Sequence, residues 1–559
     1  MRKREGMEPR YQCESVSADM LLDMEGNIKG AHLAKAPANS PGSETVARHH
    51  GRDGNSGDPM GSSREGGRVA QPANRKEARW PMGSRMPSYE RGSGVTPTEQ
   101  RGAQTGDRTM ATPTTHRGGT LATTEVERRA NRARQDPQTR STALMHHFTV
   151  DNLRACFESL DAKKATGVDG VTKAMYGQDL EANLQDLHQR LHQMSYRPKP
   201  VRRVEMPKAD GSLRPLGISC VEDKIVQEMA RRILEAIYEP VFIDTSYGFR
   251  PGRSGHDALR QRNHEVMCEP VNWIADIDLA QFFDTMPHKE ILAVLSERIA
   301  DRKFLRLIAR MLKAGVQTPG GVVYDELGSP QGSMVSPVIA NAFLDHVLDQ
   351  WVVQTVRHSC RGHCTVIRYA DDALVVFERE NDAHRCMRVL PKRLGKFGLR
   401  LNVQKTRLLA FGKRQAWQAL RDGTRLPTFD YLGLTHYWGR SRTGKARLKR
   451  KTSKKRLRRA LVEINAWLRR ERNAHQLPDL WQAVSRKMQG HFNYFGVTDN
   501  SPALYRFERS VQRLVFKWLN RRSQRRSFSW ESFRRYAKRH PLPRPGRLVQ
   551  LIPIWCMTV

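Results

Sequence analysis

Two adjacent carboxylates, Asp371 and Asp372, lie between two short runs rich in β-branched and aromatic residues, 365–369 and 373–377. Those runs predict the strands of a hairpin with the acids at its tip. Neighbouring like charges repel, so the pair gains nothing locally. A hard divalent cation such as Mg²⁺ would relieve the conflict, because it takes oxygen ligands. The chemistry served by such a site is in-line displacement at phosphorus, in which two metal ions clamp the attacking and leaving oxygens. An ordinary surface turn can also carry Asp-Asp. The reading therefore requires a third carboxylate, a nucleotide pocket and a nucleic-acid surface.

The third carboxylate comes from 273–284. Apolar residues alternate at Trp273, Ala275, Ile277 and Leu279, predicting a strand with Asp276 and Asp278 on its opposite face. Asp284 follows where the segment turns helical and is also a candidate cap. The turn Ser329–Pro330–Gln331–Gly332–Ser333 enters an apolar helix expected over 335–348, offering backbone donors and close approach to a nucleotide. Tyr247–Gly248–Phe249–Arg250–Pro251, within 246–255, combines aromatic, glycine and arginine residues suited to a nucleic-acid backbone. Segments 401–406 and 429–433 complete the series. Cys360, His363 and Cys364, with His358 nearby, have no second Cys/His pair at zinc spacing and read as a surface loop with incidental thiols.

These residues need elements to hold them. Strand-like segments at 202–206 and 213–218 flank the turn 209–212 and predict a hairpin. An amphipathic helix over 221–241 would turn Ile225, Met229, Ile233 and Ile237 to a core. Helical periodicity also runs through 148–157. Residues 440–459 hold twelve Lys or Arg and no acid. Helical apolar spacing follows at Leu457, Leu461, Ile464 and Leu468, so the basic run is expected to lie on a helix opening a helical carboxy-terminal domain. Residues 1–123 are rich in Gly, Ser, Thr, Pro and Arg and poor in large apolar residues; they read as a disordered basic extension, with helical order expected from Glu125.

Composition narrows the partners. The 559 residues carry 95 Lys and Arg against 58 acids, a net charge of +37, which calls for a polyanion. No apolar run approaches the roughly 20 residues that span a bilayer, and the basic amino terminus lacks the apolar segment of a signal peptide. Eight scattered cysteines form no disulfide framework and suit a reducing cytosol; the expected location is cytoplasmic, with the polyanion partner pointing to a nucleoid-associated protein in a bacterial-type cell.

Taken in order, eight blocks resemble the reverse transcriptase/maturase encoded within group II introns. They are 167–170 (Gly-Val-Asp-Gly), 213–217 (Leu-Arg-Pro-Leu-Gly), 247–251 (Tyr-Gly-Phe-Arg-Pro), Asp278 with Phe283–Asp284, 330–332 (Pro-Gln-Gly), 369–372 (Tyr-Ala-Asp-Asp), 405–406 (Lys-Thr) and 431–433 (Tyr-Leu-Gly). Residues 489–496 match that family's thumb motif. The resemblance runs from about 140 to about 540 and implies an α+β right-hand polymerase. Fingers and palm would occupy 124–437, a helical thumb or maturase domain 438–545, and a tail 546–559.

The resemblance further implies that Asp278, Asp371 and Asp372 hold two Mg²⁺ ions. Phe283 would lie under the sugar and exclude a 2′-hydroxyl, Gln331 and Gly332 would line the nucleotide and template, and Lys208 and Arg214 would face the triphosphate. Lys405 would assist the pyrophosphate leaving group, with a merely solvated lysine as the alternative, and Asp276 would stand behind the metal ligands. Lys449, Arg450, Lys451, Lys454 and Lys455 would bind RNA. The implied partners are the intron RNA, an RNA template with DNA primer, target DNA and dNTPs. Ser333 stands where the family often has glycine. The chain stops soon after the thumb, so an endonuclease-free member is expected. Two other readings stay open: an RNA-binding splicing factor with an idle polymerase, and a reverse transcriptase of a retron or defence system.

Overall fold

The computed structural model describes residues 139–207, 213–324, 326–328, 332–546 and 548–551. The extension over 1–123, the helix expected from Glu125, Lys208, Gln331 and Cys556 lie outside them.

The helix Val150–Ser159 starts at Thr149, whose hydroxyl accepts the Asn152 amide at 3.2 Å. The expected hairpin forms from β1 (Val201–Pro207) and β2 (Leu213–Ile218), with Arg202 opposite Ile218 and Pro207 opposite Leu213. The helix Val221–Tyr238 buries Ile225, Met229, Ile233 and Ile237, as its periodicity required. After the helix Gly255–Cys268 comes β3 (Trp273–Ile277). Two short strands, β4 (Val316–Thr318) and β5 (Gly321–Val323), extend the first hairpin into a sheet ordered β2-β1-β4-β5. The apolar helix starts at Ser336 and continues through π-helical turns at Asp345–Asp349 and Val352–Val356.

Strands β6 (Cys364–Tyr369), β7 (Asp372–Phe377) and β8 (Arg407–Ala410) join β3 in an antiparallel sheet ordered β6-β7-β3-β8. Both faces of this sheet are covered. Ala373, Val375 and Phe377 of β7 enter the main core with Ala275 and Ile277 of β3, beside the long helices. Leu374 and Val376 enter a second core with Ile274 and Phe429. Burial on both faces accounts for the continuous apolar run in β7, where a half-exposed strand would alternate.

A third sheet, ordered β11-β10-β9, consists of β9 (Phe429–Tyr431), β10 (Leu434–Arg440) and β11 (Ala446–Thr452). Beyond it, the helices Lys454–Glu471, Leu477–Phe495, Ser501–Leu519 and Trp530–Arg539 pack around a core of their own. The two regions are tied by Asn500, whose side-chain oxygen accepts the Thr452 amide at 2.7 Å. Among the described residues no helix is long and apolar enough to cross a membrane.

One expectation is corrected. Residues 446–452 form β11, not helix, and helix begins at Lys454. The 437/438 position lies within β10. Cys156, Cys220, Cys360, Cys364 and Cys386 are free thiols.

Candidate active site

The β6–β7 hairpin closes at Tyr369 opposite Asp372, leaving Ala370 and Asp371 as its tip. Ala370 adopts φ 57°, an uncommon conformation for a non-glycine residue. Two contacts hold it there. Gly248 lies so close that a side chain on it would collide with the Ala370 backbone. Behind the tip, the fully buried Arg368 donates to the Ala370 carbonyl at 3.0 Å and to Asn341 Oδ1 at 2.9 Å. Its guanidinium also pairs with the equally buried Asp349 at 2.6 Å. Asp349 sits in the first π-helical turn, a distortion common near functional sites. The Asp349–Arg368 pair thus couples the apolar helix to the acidic tip.

The third carboxylate arrives through β3. It pairs with β7 from Trp273 opposite Phe377 to Ile277 opposite Ala373. Continuing that register by one residue sets Asp278 opposite Asp372. Segment 401–406 fixes Asp278 from the other side: the Asn402 amide donates to the Asp278 carbonyl at 2.8 Å, and the Asp278 amide donates to Thr406 Oγ1 at 3.2 Å. Lys405 Nζ stands 3.3 Å from Asp278 Oδ2, and Arg407 bridges Asp276 at 3.0 Å.

The electrostatics record crowding. Asp372 remains open to water at the tip, yet the surrounding protein and the charges of Asp371, Asp278 and Asp276 push its carboxyl up to about 7. Arg456, on the first turn of the helix after β11, pulls in the opposite direction. Burial raises Asp276, with Arg407 opposing. Among the described residues no three metal-ligating side chains converge into one cluster. The donor set still suits a hard cation: carboxylate oxygens, mutually repelling, with Lys405 and Arg407 on two of them.

Other predicted residues gather less tightly. Phe283 packs partly buried on the main core, its ring edge-on to Phe282 at 5.3 Å. Gly332, at φ 110°, presses on Gly217 and Leu216 of β2, so the glycine turn and the first hairpin meet. Arg214 lies on β2 opposite Met206. Leu432 and Gly433 turn between β9 and β10 with φ of 50° and 75°, and Tyr494 Oη donates to the Leu432 carbonyl at 3.2 Å.

Two arginine readings change. Arg250 is buried, donates to Glu239 at 3.0 Å and to the Ser246 carbonyl at 2.8 Å, and so supports the 247–251 loop instead of facing solvent. Arg450, expected among the RNA contacts, has no exposed surface and donates to Asn263 Oδ1 at 2.6 Å. Lys451, Lys454 and Lys455 are exposed, and Lys449 is partly so. Residues 360–363 form a loop with free thiols at Cys360 and Cys364, as expected; Cys364 is buried at the start of β6, and His363 pairs with Glu265 at 2.8 Å.

The sequence reading missed Arg368, Asn341, Asp349 and Arg456. Arg368 did carry a signal, as a lone charge inside a predicted buried strand. Its partners lie 19 and 27 residues away, beyond any local pattern.

Residues 206–436 match the family described as reverse transcriptase (RNA-dependent DNA polymerase). Protein YkfC of Escherichia coli strain K12 is 32% identical over 323 residues, which cover 51% of this chain and 84% of that protein. The group II intron-encoded protein LtrA of Lactococcus lactis subsp. cremoris is 36% identical over 199 residues, 35% of this chain and 33% of LtrA. An uncharacterized 91 kDa protein in the cob intron of Schizosaccharomyces pombe is 46% identical over 153 residues, 27% of this chain and 19% of that protein. The chain thus spans a third or less of the last two. The chain belongs to the reverse transcriptase family, and over part of its length it is similar to proteins encoded within group II introns.

Proposed function

We propose that this chain is an RNA-directed DNA polymerase that also holds a group II intron RNA in its splicing-competent form. The observation that carries the first half is the β3–β7 register, which sets Asp278 opposite Asp372 at the tip that also bears Asp371. On this reading the β2-β1-β4-β5 sheet belongs to the fingers, the β6-β7-β3-β8 sheet to the palm, and the helices from Lys454 to the thumb.

The residues divide the work. Asp278, Asp371 and Asp372 would hold two Mg²⁺ ions, which when bound supply Lewis-acid stabilisation to the attacking and leaving oxygens. Arg368 and Asn341 keep the hairpin tip from turning away, so the acids are oriented before substrate arrives. Phe283, fixed by the core and by Phe282, offers a rigid edge beneath a sugar. Gly332 brings the backbone of the glycine turn against β2, where Arg214 and, beyond the described residues, Lys208 would meet the triphosphate. Lys405 holds a positive charge on Asp278 and has the reach to follow a departing pyrophosphate. The primer 3′-hydroxyl attacks the α-phosphate of the dNTP, forming the new phosphodiester and releasing pyrophosphate.

The maturase half rests on family membership and charge. An excess of 37 positive charges suits a large polyanionic partner, and structured RNA is recognised largely through shape and backbone. Two assays test the halves separately: extension of a DNA primer on an RNA template by purified protein, and retention of a group II intron transcript over a salt series. Failure of either removes the corresponding half.

A further inference from the structure

We propose that the chain has a separate pocket for a single unstacked nucleotide of its RNA, away from the carboxylates, between the helix Lys413–Arg421 and the β10–β11 hairpin. This rests on the reading of structured RNA as a partner. The cavity has a volume of about 590 Å³, enough for a nucleobase with its sugar. Ala416 and Ala419 of the helix, Leu426 of the following loop, and Tyr437 and Trp438 of β10 give it apolar and aromatic walls, with Lys451 at the rim.

Three features point to a nucleotide. First, the wall is aromatic and its rim cationic. Lys451 Nζ lies 5.0 Å from the centre of the Tyr437 ring. Neither Lys451 nor Arg425, which also lines the cavity, pairs with a carboxylate among the described residues, leaving both cations for a phosphate. Base–aromatic stacking beside cations is the common solution for binding unpaired bases.

Second, β10 runs past its neighbour. It pairs with β9 only from Leu434 opposite Tyr431 to His436 opposite Phe429, and continues to Arg440. Residues 437–440 therefore present a strand edge towards the cavity, with backbone groups suited to the hydrogen-bonding edge of a base. Third, the aromatic shelf is rigid. Trp438 Nε1 donates to the Phe411 carbonyl at 3.2 Å, and Arg440 donates to the Leu420 carbonyl. The pocket needs no reordering of these walls to receive a ligand.

The test uses the full chain and a group II intron transcript carrying 4-thiouridine, irradiated and mapped by mass spectrometry. Adducts within 416–451 are expected. The cavity-filling variant Thr424→Trp, in an exposed loop lining the pocket, should bind the transcript about five- to a hundredfold more weakly, the range that loss of a base–aromatic stack produces. Its extension of an oligonucleotide primer–template should persist, which shows that it folds. Tyr437→Ser should weaken RNA binding likewise. If the wild type binds the transcript but gives no adducts there, and both variants bind as tightly, the pocket is not a nucleotide site and the RNA reading survives. If the wild type prefers the transcript no more than a scrambled RNA, the partner reading falls and this inference with it. Adducts there that form equally with scrambled RNA and resist Thr424→Trp would also overturn it.

Discussion

Arg368 shows how one residue can govern a site it never enters. Its guanidinium ties Ala370, Asn341 and Asp349 together in the dry interior behind the acidic tip. Removing one partner of a buried ion pair leaves the other charge stranded, at a cost of about 3–5 kcal/mol. We expect Arg368→Met to lower stability on that scale, measured by denaturant unfolding. Extension should fall at least about tenfold even at temperatures where the variant is folded, since the tip loses its orientation. Full activity in a folded Arg368→Met protein would show that the clamp is dispensable.

Asp345, one turn from that pair, supplies a pH signature. It is buried, Asp349 lies close, and its carboxyl is pushed up to about 7 against the relief given by Arg368, Gln350 and Arg298. The sign follows from proton counting. Between the ordinary carboxylate value and about 7 the folded state binds the extra proton, so stability declines as pH rises through that window. Asp345→Asn cannot ionise and should lose that contribution. Its melting temperature should gain on the wild type as pH rises from 5 to 8. A wild-type excess that is constant across the range would contradict the assignment.

At the scale of elements, the basic run 440–459 was the misleading one. Its charge density suggested a helix, yet Ala446, Leu448 and Thr452 alternate with charged residues and are buried, the period of a strand. Arg450 occupies the remaining inward position and hid the alternation. The consequence is that the run contains two kinds of cation. Neutralising Lys449, Lys451, Lys454 and Lys455 together should make the salt dependence of log affinity for intron RNA shallower by about 3 if each meets a phosphate. Stability should hardly change. Arg450→Ala alone should do the reverse, lowering the melting temperature while leaving the salt slope as it was. Filter retention across a salt series, beside thermal melts, separates the two, and a stable Arg450→Ala protein with a shallower slope would overturn the division. By contrast, the β6–β7 hairpin, the β1–β2 hairpin and the helix Val221–Tyr238 were legible because apolar period and turn chemistry are local.

For the whole molecule, what could be read from sequence was the order of the blocks. Asp278 and Asp372 are 94 positions apart by their numbers, and only the antiparallel β3–β7 register explains their meeting. Alternation marked the strands but could not assign partners. Nor could it show that β7 lies between two cores, or that the third sheet sits between the carboxylate sheet and the carboxy-terminal helices, since both depend on contacts distant in sequence. The two proposed activities draw on different elements. The acids lie on one sheet, whereas the exposed cations Lys451, Lys454 and Lys455 lie on β11 and the helix after it.

The most direct measurement compares wild type and Asp371→Asn in two assays on the same preparations: extension of a DNA primer on an RNA template, and affinity for the intron transcript. The substitution removes one negative charge from the hairpin tip and leaves the cationic surface untouched. Extension should fall by several orders of magnitude, about 4 kcal/mol or more in barrier, while RNA affinity stays within about tenfold. Normal extension by Asp371→Asn would contradict the assignment of the carboxylates as the polymerase site.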